Sequence, residues 1–214
     1  MTAIPDSRNS STTIPNRREY IERILFDRID LYNNTIYIDE AGFNYHLIHS
    51  RGRSLHGQPA VKRVINNRGK NLSIITAMNG HGILKFTPHL GSVNKAIFKR
   101  FLIQLKRLLP VNQKRYIILD NVKFHHSPEV TNVLRGTLHE IIYLPPYSLF
   151  LNPVEKVFSK VKNQVAKHRL ENHESIIGRI EEAFDMITEN DCINWITHTR
   201  SYFDHCLNEE EIEM

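Results

Sequence analysis

Three acidic residues lie at positions in the sequence where their carboxylates could act together in catalysis. Asp39 ends the apolar run TIYID and Asp120 ends the similar run YIILD, and both runs are typical of buried strands. Glu155 lies in the first turn of a helix predicted to begin near Pro153. Clustered carboxylates repel one another, but they are the hard oxygen ligands that Mg²⁺ and Mn²⁺ prefer. Two such ions can activate a nucleophile and stabilise the leaving oxygen of a phosphodiester, which is the chemistry we expect from this cluster.

Each of these residues also has a simpler, structural interpretation. An Asp after a strand is commonly a turn or cap residue. The segment Asn152-Pro153-Val154-Glu155 is a typical helix start, in which the Glu could serve only in a capping box. His125 and His126 lack metal-site spacing to a further ligand, and such histidines are more often surface or core residues. For each residue taken singly, the structural interpretation is favoured.

The predicted elements can bring the three acids to one edge of a sheet. The patterns predict helices within 17–33, 94–109, 127–134 and 153–168, strands at 35–40, 116–120 and 139–144, a hairpin over 71–86 after the apolar segment FNYHLIHS, and two helices in the tail. If the strands that end at Asp39 and Asp120 are adjacent, their carboxyl ends form a crevice that Glu155 can reach from its helix. We therefore expect an α/β fold with helices around a central, mixed five-stranded sheet and a C-terminal helical extension.

Positive charge is concentrated in the middle of the chain. The formal net charge is +5, but residues 51–169 hold 21 Lys and Arg against 4 Asp and Glu, a net charge of +17. Residues 1–50 carry −2 and residues 170–214 carry −10. Such a basic segment is typical of a surface that binds a polyanion such as nucleic acid, although a solvated basic surface has the same composition. Two of its four acids are Asp120 and Glu155.

The composition excludes several classes of protein. A chain of 214 residues with 41% hydrophobic residues can form one main domain, and no apolar run approaches the ~18 residues of a membrane span. Cys192 and Cys206 provide neither a disulfide framework nor zinc-site spacing, so we expect an intracellular, reducing compartment. We divide the chain into a flexible polar leader (1–16), a catalytic domain (17–170) and an acidic helical extension packed on the same domain (171–214).

Three segments resemble the catalytic motifs of the mariner-type transposases of the DDE superfamily of endonucleases. They are YIDEAGFN at 37–44, ILDNVKFHHS at 118–127 and LPPYSLFLNPVEKVFSKVK at 144–162. Thirty-four residues separate Asp120 from Glu155, a spacing found in that group. The resemblance covers about residues 17–205 and implies a ribonuclease-H-like fold. It also implies a metal-dependent DNA endonuclease and strand-transfer activity that uses two Mg²⁺ or Mn²⁺ ions.

The resemblance assigns roles to individual residues. It implies that Asp39, Asp120 and Glu155 form a metal-binding catalytic triad, and that Asn121 and His125 support this triad. It also implies that Lys156, Lys160 and Lys162 contact the DNA backbone. To these predicted DNA contacts we add Arg51 and Arg53 from the basic segment. The implied partners are transposon ends and target DNA, and a homodimer is compatible with the resemblance. The expected location is the nucleus in a eukaryote and otherwise the cytoplasm or nucleoid.

The sequence also departs from the pattern of that family. Ser148-Leu149 replaces the usual Ser-Pro, and Phe158 stands where Trp is usual. The resemblance implies a longer chain, with paired helix-turn-helix modules ahead of the catalytic domain. Only a ~30-residue leader precedes that domain here. The chain could therefore be a fragment without activity. The alternatives are a non-catalytic DNA-binding protein derived from a transposase and a ribonuclease that acts on RNA–DNA hybrids.

Overall fold

A mixed five-stranded sheet forms the centre of the protein, as the sequence predicts. The computed structural model describes residues 6–43, 56–57, 72–167 and 176–213. The strands are β1 (Thr35–Phe43), β2 (Leu72–Asn79), β3 (Gly82–Leu90), β4 (Tyr116–Leu119) and β5 (Glu140–Tyr143). Their order is β3-β2-β1-β4-β5. The pairs β1–β2 and β2–β3 are antiparallel, whereas β1–β4 and β4–β5 are parallel.

Helices cover both faces of this sheet. They are α1 (Thr13–Phe26), α2 (Lys95–Lys106), α3 (Pro128–Thr131), α4 (Val154–Lys167), α5 (Ile176–Asp185), α6 (Glu189–Arg200) and α7 (Phe203–Leu207). The tail differs from the predicted pair of helices, because α6 ends before a turn at Ser201 and Tyr202. Phe203, which the pattern assigns to the second helix of the tail, therefore lies on the short α7.

The side chains of β1 alternate between two hydrophobic clusters, because successive residues of a strand point to opposite faces. Ile36 and Ile38 belong to the cluster that includes the apolar face of α2. Tyr37 and Phe43 belong to the cluster on the other face, which includes Phe158 of α4. The Phe158 ring packs edge-on against the Phe43 ring, with 6.4 Å between ring centroids. Phe158 thus serves as a core aromatic residue.

The turn between β2 and β3 has the geometry that the Asn79–Gly82 segment favours. Gly80 donates a backbone hydrogen bond to the carbonyl oxygen of Tyr32 at 3.0 Å. A Cβ atom at position 80 would lie 2.7 Å from that same oxygen, so only glycine permits this close approach. The predicted hairpin is confirmed.

Within the segment predicted to be a flexible leader (1–16), the described residues 6–16 contain regular secondary structure. Residues Asp6–Asn9 form a 3₁₀ helix, and α1 begins at Thr13. Thr13 is buried, its hydroxyl donates to the Ser7 carbonyl oxygen at 2.9 Å, and its amide donates to Ser10 Oγ at 3.2 Å. These local hydrogen bonds satisfy the backbone, which is how a polar segment can be ordered without a large apolar surface.

Some predicted features lie outside the described residues. These are Arg51, Arg53 and residues 44–50 of the apolar segment FNYHLIHS. Among the residues that the structure describes, no helix combines the length and the apolar character needed to span a membrane.

Candidate active site

Strands β1 and β4 place Asp39 and Asp120 level with each other in the sheet, although β1 continues past Asp39 to Phe43 and does not end there as predicted. The two strands are parallel neighbours, and Tyr37 is paired with Ile118. Each aspartate lies two residues beyond its member of that pair, so the two occupy equivalent positions along the strands. The two acids are expected to converge if their strands are adjacent, and the strands are adjacent.

Asn152 connects the start of α4 to Asp39. Its amide Nδ2 donates to Asp39 Oδ2 at 3.1 Å, and its Oδ1 accepts from the backbone N–H of Val154 at 3.2 Å. Its own backbone N–H donates to the Leu149 carbonyl oxygen at 2.8 Å, so this group does not need Glu155 as a capping partner. Within the described part of the chain, Asn152 performs the capping that the sequence assigns to this helix start.

The three predicted acids interact with one another electrostatically. Burial is the main reason why the pKa of Asp39 lies well above its usual range, and the charges of Glu155 and Asp120 raise it further. A hydrogen bond from the Glu40 backbone N–H, at 2.8 Å, acts in the opposite direction. Burial also raises the pKa of Glu155, where Lys162 lowers it and Asp120 raises it. Like charges that lie near one another raise each other's pKa in this way.

His125 lies between Asp120 and Glu40 and is completely buried. Its Nδ1 is 2.7 Å from Asp120 Oδ1 and 3.2 Å from the Asp120 carbonyl oxygen, and its Nε2 is 3.1 Å from Glu40 Oε1. Burial alone would lower the pKa of His125, but contacts with Asp120 and Glu40 together outweigh it and raise that pKa to about 9. The imidazole is therefore a cation at neutral pH, and it pairs with both carboxylates.

Glu40 is a member of the site that the sequence prediction missed. It directly follows Asp39 on β1, so the two side chains point to opposite faces of the sheet. Glu40 faces the side of α2, where the His125 ring also packs against Phe98 with 4.1 Å between centroids. The alternation of side chains along a strand could have predicted which face Glu40 points to, but it could not have identified His125 as the partner of Glu40.

Asn121 and Lys162, two further predicted residues, differ in their contacts. Asn121 is exposed and its Oδ1 contacts His126 Nε2 at 2.6 Å, so the described contacts place it beside Asp120 without a bond to the triad. Lys162 lies over the Phe43 ring, 5.3 Å from its centroid, and is close enough to lower the pKa of Glu155.

Two further lysines on α4 have different surroundings. Lys156 is exposed. Lys160, also predicted to contact DNA, donates to Asp191 Oδ2 at 2.6 Å and to the Met186 carbonyl oxygen at 3.1 Å. Its ammonium group is thus engaged by the C-terminal extension.

The chemistry of the three acids suits a hard divalent cation. Asp120 Oδ1 is buried without an aligned hydrogen-bond donor among the described residues, even though the His125 ring is close. The raised pKa values of Asp39 and Glu155 mean that a cation placed between them would favour the ionised forms of both. Glu40, Asp120 and His125 have ligand atoms within 4.8 Å of one another, so this group shares Asp120 with the predicted triad.

Comparison with known sequences identifies the family. The sequence profile described as a DDE superfamily endonuclease matches residues 34–177, a range that contains all three acids. The chain belongs to the DDE superfamily of endonucleases. Among curated proteins, no sequence matches this DDE superfamily chain significantly.

Solved structures of the Mos1 transposase have the same fold. The Mos1 mariner paired-end complex with Mn matches with a TM-score of 0.80 at 18% identity, over 100% of this chain and 65% of that one. The Mos1 strand transfer complex matches with a TM-score of 0.79 at 20% identity, over 100% and 64%. The Mos1 catalytic domain with Raltegravir and Mn matches with a TM-score of 0.72 at 17% identity, over 96% and 98%.

These matches confirm the predicted ribonuclease-H-like fold of this DDE superfamily member. The chain spans less than two thirds of the length of the Mos1 chains in the paired-end and strand transfer complexes, but nearly all of the isolated Mos1 catalytic domain. It corresponds in extent to a catalytic domain.

Proposed function

We propose that this DDE superfamily chain is a DNA endonuclease and strand-transfer domain whose Asp39, Asp120 and Glu155 hold two Mg²⁺ or Mn²⁺ ions. The observation that supports it most is the parallel pairing of β1 with β4, which places Asp39, in the middle of β1, level with Asp120, directly after β4. Glu155 contributes to this same electrostatic cluster from α4. The Mos1 structures include complexes with a transposon end and with Mn or Mg, which agrees with this chemistry for a protein of the same fold.

The reaction we propose breaks one P–O bond of the DNA backbone by attack of a water oxygen on phosphorus. In the joining step, a DNA 3′ hydroxyl replaces water as the nucleophile. When bound, the two metal ions supply activation of the nucleophile and stabilisation of the leaving oxygen. The protein's contribution is to orient the ligands: Asn152 donates to Asp39, and the buried His125 ring contacts Asp120.

The basic surface supplies the affinity for DNA in this proposal. Residues 51–169 carry a net charge of +17, and phosphate contacts by Lys and Arg bind duplex DNA without reading its sequence. Lys156 and Lys162 are the α4 lysines best placed for such contacts, because Lys160 already pairs with Asp191. Transposon ends and target DNA are the substrates we propose.

The test is nicking of supercoiled plasmid by purified protein with Mg²⁺ or Mn²⁺. We expect Asp120→Asn, which keeps the shape of the side chain, to abolish nicking while the melting temperature shows a folded protein. Glu129→Gln is the matched control, since Glu129 is an exposed carboxylate of the same basic region that pairs with Lys95. Equal nicking by wild type and Asp120→Asn would contradict the proposal, and DNA binding without nicking by wild type would favour a non-catalytic DNA-binding protein.

A further inference from the structure

Arg17 of α1 is a buried cation whose contacts lead to the active site. Arg17 is 1% exposed, and no carboxylate among the described residues forms an ion pair with it. Its Nε donates to Ser148 Oγ at 3.1 Å, its Nη1 to Asn9 Oδ1 at 3.1 Å, and its Nη2 to the Arg8 carbonyl oxygen at 2.5 Å. A buried guanidinium is costly unless its N–H groups are satisfied, and here all three nitrogens have neutral acceptors.

The loop that receives this guanidinium is fixed by several contacts. The guanidinium carbon of Arg17 lies 5.3 Å from the centroid of the Phe150 ring, and that of Arg8 lies 5.6 Å from the same centroid. Ser148 is itself buried, and its hydroxyl donates to the Pro146 carbonyl oxygen at 3.0 Å. The segment from Pro146 to Phe150 is thus attached to α1 by both polar and ring contacts.

The far end of this loop positions the catalytic carboxylates. The carbonyl oxygen of Ser148 accepts from the Leu151 amide at 2.9 Å, and that of Leu149 accepts from the Asn152 amide at 2.8 Å. The Asn152 side chain then donates to Asp39, and the Asn152 carbonyl oxygen accepts from the Glu155 amide at 3.3 Å. Hydrogen bonds at both ends of the short segment Ser148–Asn152, joined by its backbone, therefore connect the guanidinium to Asp39.

We propose that Arg17 is a positioning residue for the metal site, which it supports by holding Ser148–Asn152 in the conformation that orients Asp39 and Glu155. Through the same contacts, the N-terminal residues Asp6–Asn9 are coupled to the site. Asn9 Oδ1 also accepts from the Ile212 amide at 3.3 Å, so the C-terminal segment joins the same group of contacts. This inference rests on the proposed function, because it assumes that the three acids bind metal.

The experiment measures the Mn²⁺ concentration that gives half-maximal nicking, together with the maximal rate. Arg17→Gln removes the cation, and Ser148→Ala removes only its hydroxyl acceptor. Arg18→Gln is the matched control, because Arg18 has the same charge on the same helix but is exposed and pairs with Glu22 and Glu209. Thermal melting without Mn²⁺ must show each variant to be folded at the assay temperature, because in a fully folded protein a change in the Mn²⁺ midpoint reports on the metal site and not on linkage to folding.

We expect Arg17→Gln and Ser148→Ala each to raise the Mn²⁺ midpoint roughly tenfold, a change typical of residues that orient metal ligands. Arg18→Gln should leave it unchanged, and the double variant of Arg17 and Ser148 should be no worse than the worse single variant, because both act through one contact. If the wild type nicks DNA normally, an unchanged Mn²⁺ midpoint in both single variants would overturn this inference but not the proposed function. Midpoint shifts that add fully in the double variant would do the same. A wild type that neither nicks DNA nor melts at a higher temperature with Mn²⁺ would overturn the proposed function and this inference with it.

Discussion

Asn152 donates a hydrogen bond to the Asp39 carboxylate across 3.1 Å, and this bond ties the start of α4 to the centre of the sheet. Both residues are buried. The same Asn152 side chain accepts from the first helical amide of α4, at Val154. One side chain thus orients a proposed metal ligand on β1 and sets where the helix that carries Glu155 begins.

Replacement of Asn152 by Ala should therefore affect both stability and metal binding. We expect the free energy of unfolding to fall by about 1–3 kcal/mol, since a buried carboxylate oxygen and a helix-start amide lose their partner. The Mg²⁺ midpoint of thermal stabilisation should rise about 10-fold or more. Asn163→Ala on the exposed side of α4 is the control, and its effect should stay within roughly 0.5 kcal/mol. Similar losses in both variants would argue against a specific role of Asn152.

Divalent metal should stabilise the folded protein, because it relieves the repulsion among Asp39, Asp120 and Glu155. Mg²⁺ at about tenfold above its Kd should raise Tm by roughly 3–6 °C in differential scanning fluorimetry. The double variant Asp39→Asn Asp120→Asn should lose this response. An equal shift in the wild type and the double variant would place the binding at another position on the chain.

The metal effect should also depend on pH in a defined direction. The pKa of Asp39 lies well above its usual range in the metal-free protein, so at low pH a proton competes with the cation for this carboxylate. The Mg²⁺-induced rise in Tm should therefore be smaller at pH 5.5 than at pH 8. A Tm shift that stays constant over this range would show that Asp39 does not titrate on metal binding.

Protonation of His125 should stabilise the fold at and below neutral pH. Its pKa is raised from about 6.5 to about 9 in the folded protein, so its contribution is complete below pH 6.5 and is lost as the pH rises through 9. In EDTA, the stability difference between the wild type and His125→Gln should shrink by up to about 3 kcal/mol across this window.

His126→Gln provides the control for this measurement, because His126 is the exposed neighbour that contacts Asn121. The stability difference between the wild type and His126→Gln should change little over the same pH range. Urea unfolding at several pH values measures both differences. A constant difference for His125→Gln would show that the imidazole is neutral in the folded protein.

DNA binding should distinguish the lysines of α4. Duplex affinity should fall with salt by about 0.9 log units per log unit for each phosphate neutralised, so Lys156→Ala and Lys162→Ala should each reduce this slope by about that amount. Lys160→Ala should leave the slope unchanged, because Asp191 engages that ammonium group. Fluorescence anisotropy at several salt concentrations measures the slopes.

The same titrations with unrelated duplexes test sequence preference. Phosphate contacts carry no sequence information, so we expect little discrimination among duplexes. A preference of ~100-fold or more for one sequence, about 2.7 kcal/mol, would reveal a base-reading element on this chain.

The sequence predicts the sheet and the alignment of its two aspartates, although β1 continues past Asp39 to Phe43. Continuous apolar runs such as those before Asp39 and Asp120 are favourable only as central, buried strands, and their parallel pairing then brings both ends together. The pairing of Glu40 with His125 could not be predicted, because it joins residues far apart in sequence. The same holds for Lys160, whose partner Asp191 depends on how α6 docks beside α4. The roles assigned to Arg51 and Arg53 stay predictions.

The alternation along β1 gives two adjacent acids opposite electrostatic environments. Asp39 lies among carboxylates and Glu40 beside an imidazolium, although only one peptide bond separates them. A one-residue deletion between Thr35 and Asp39 would exchange their faces, so that Glu40 would enter the acid cluster and Ala41 would face His125. A change of two residues would restore the faces but move Asp39 along β1, away from the position level with Asp120. This strand is therefore intolerant of length change during evolution or redesign.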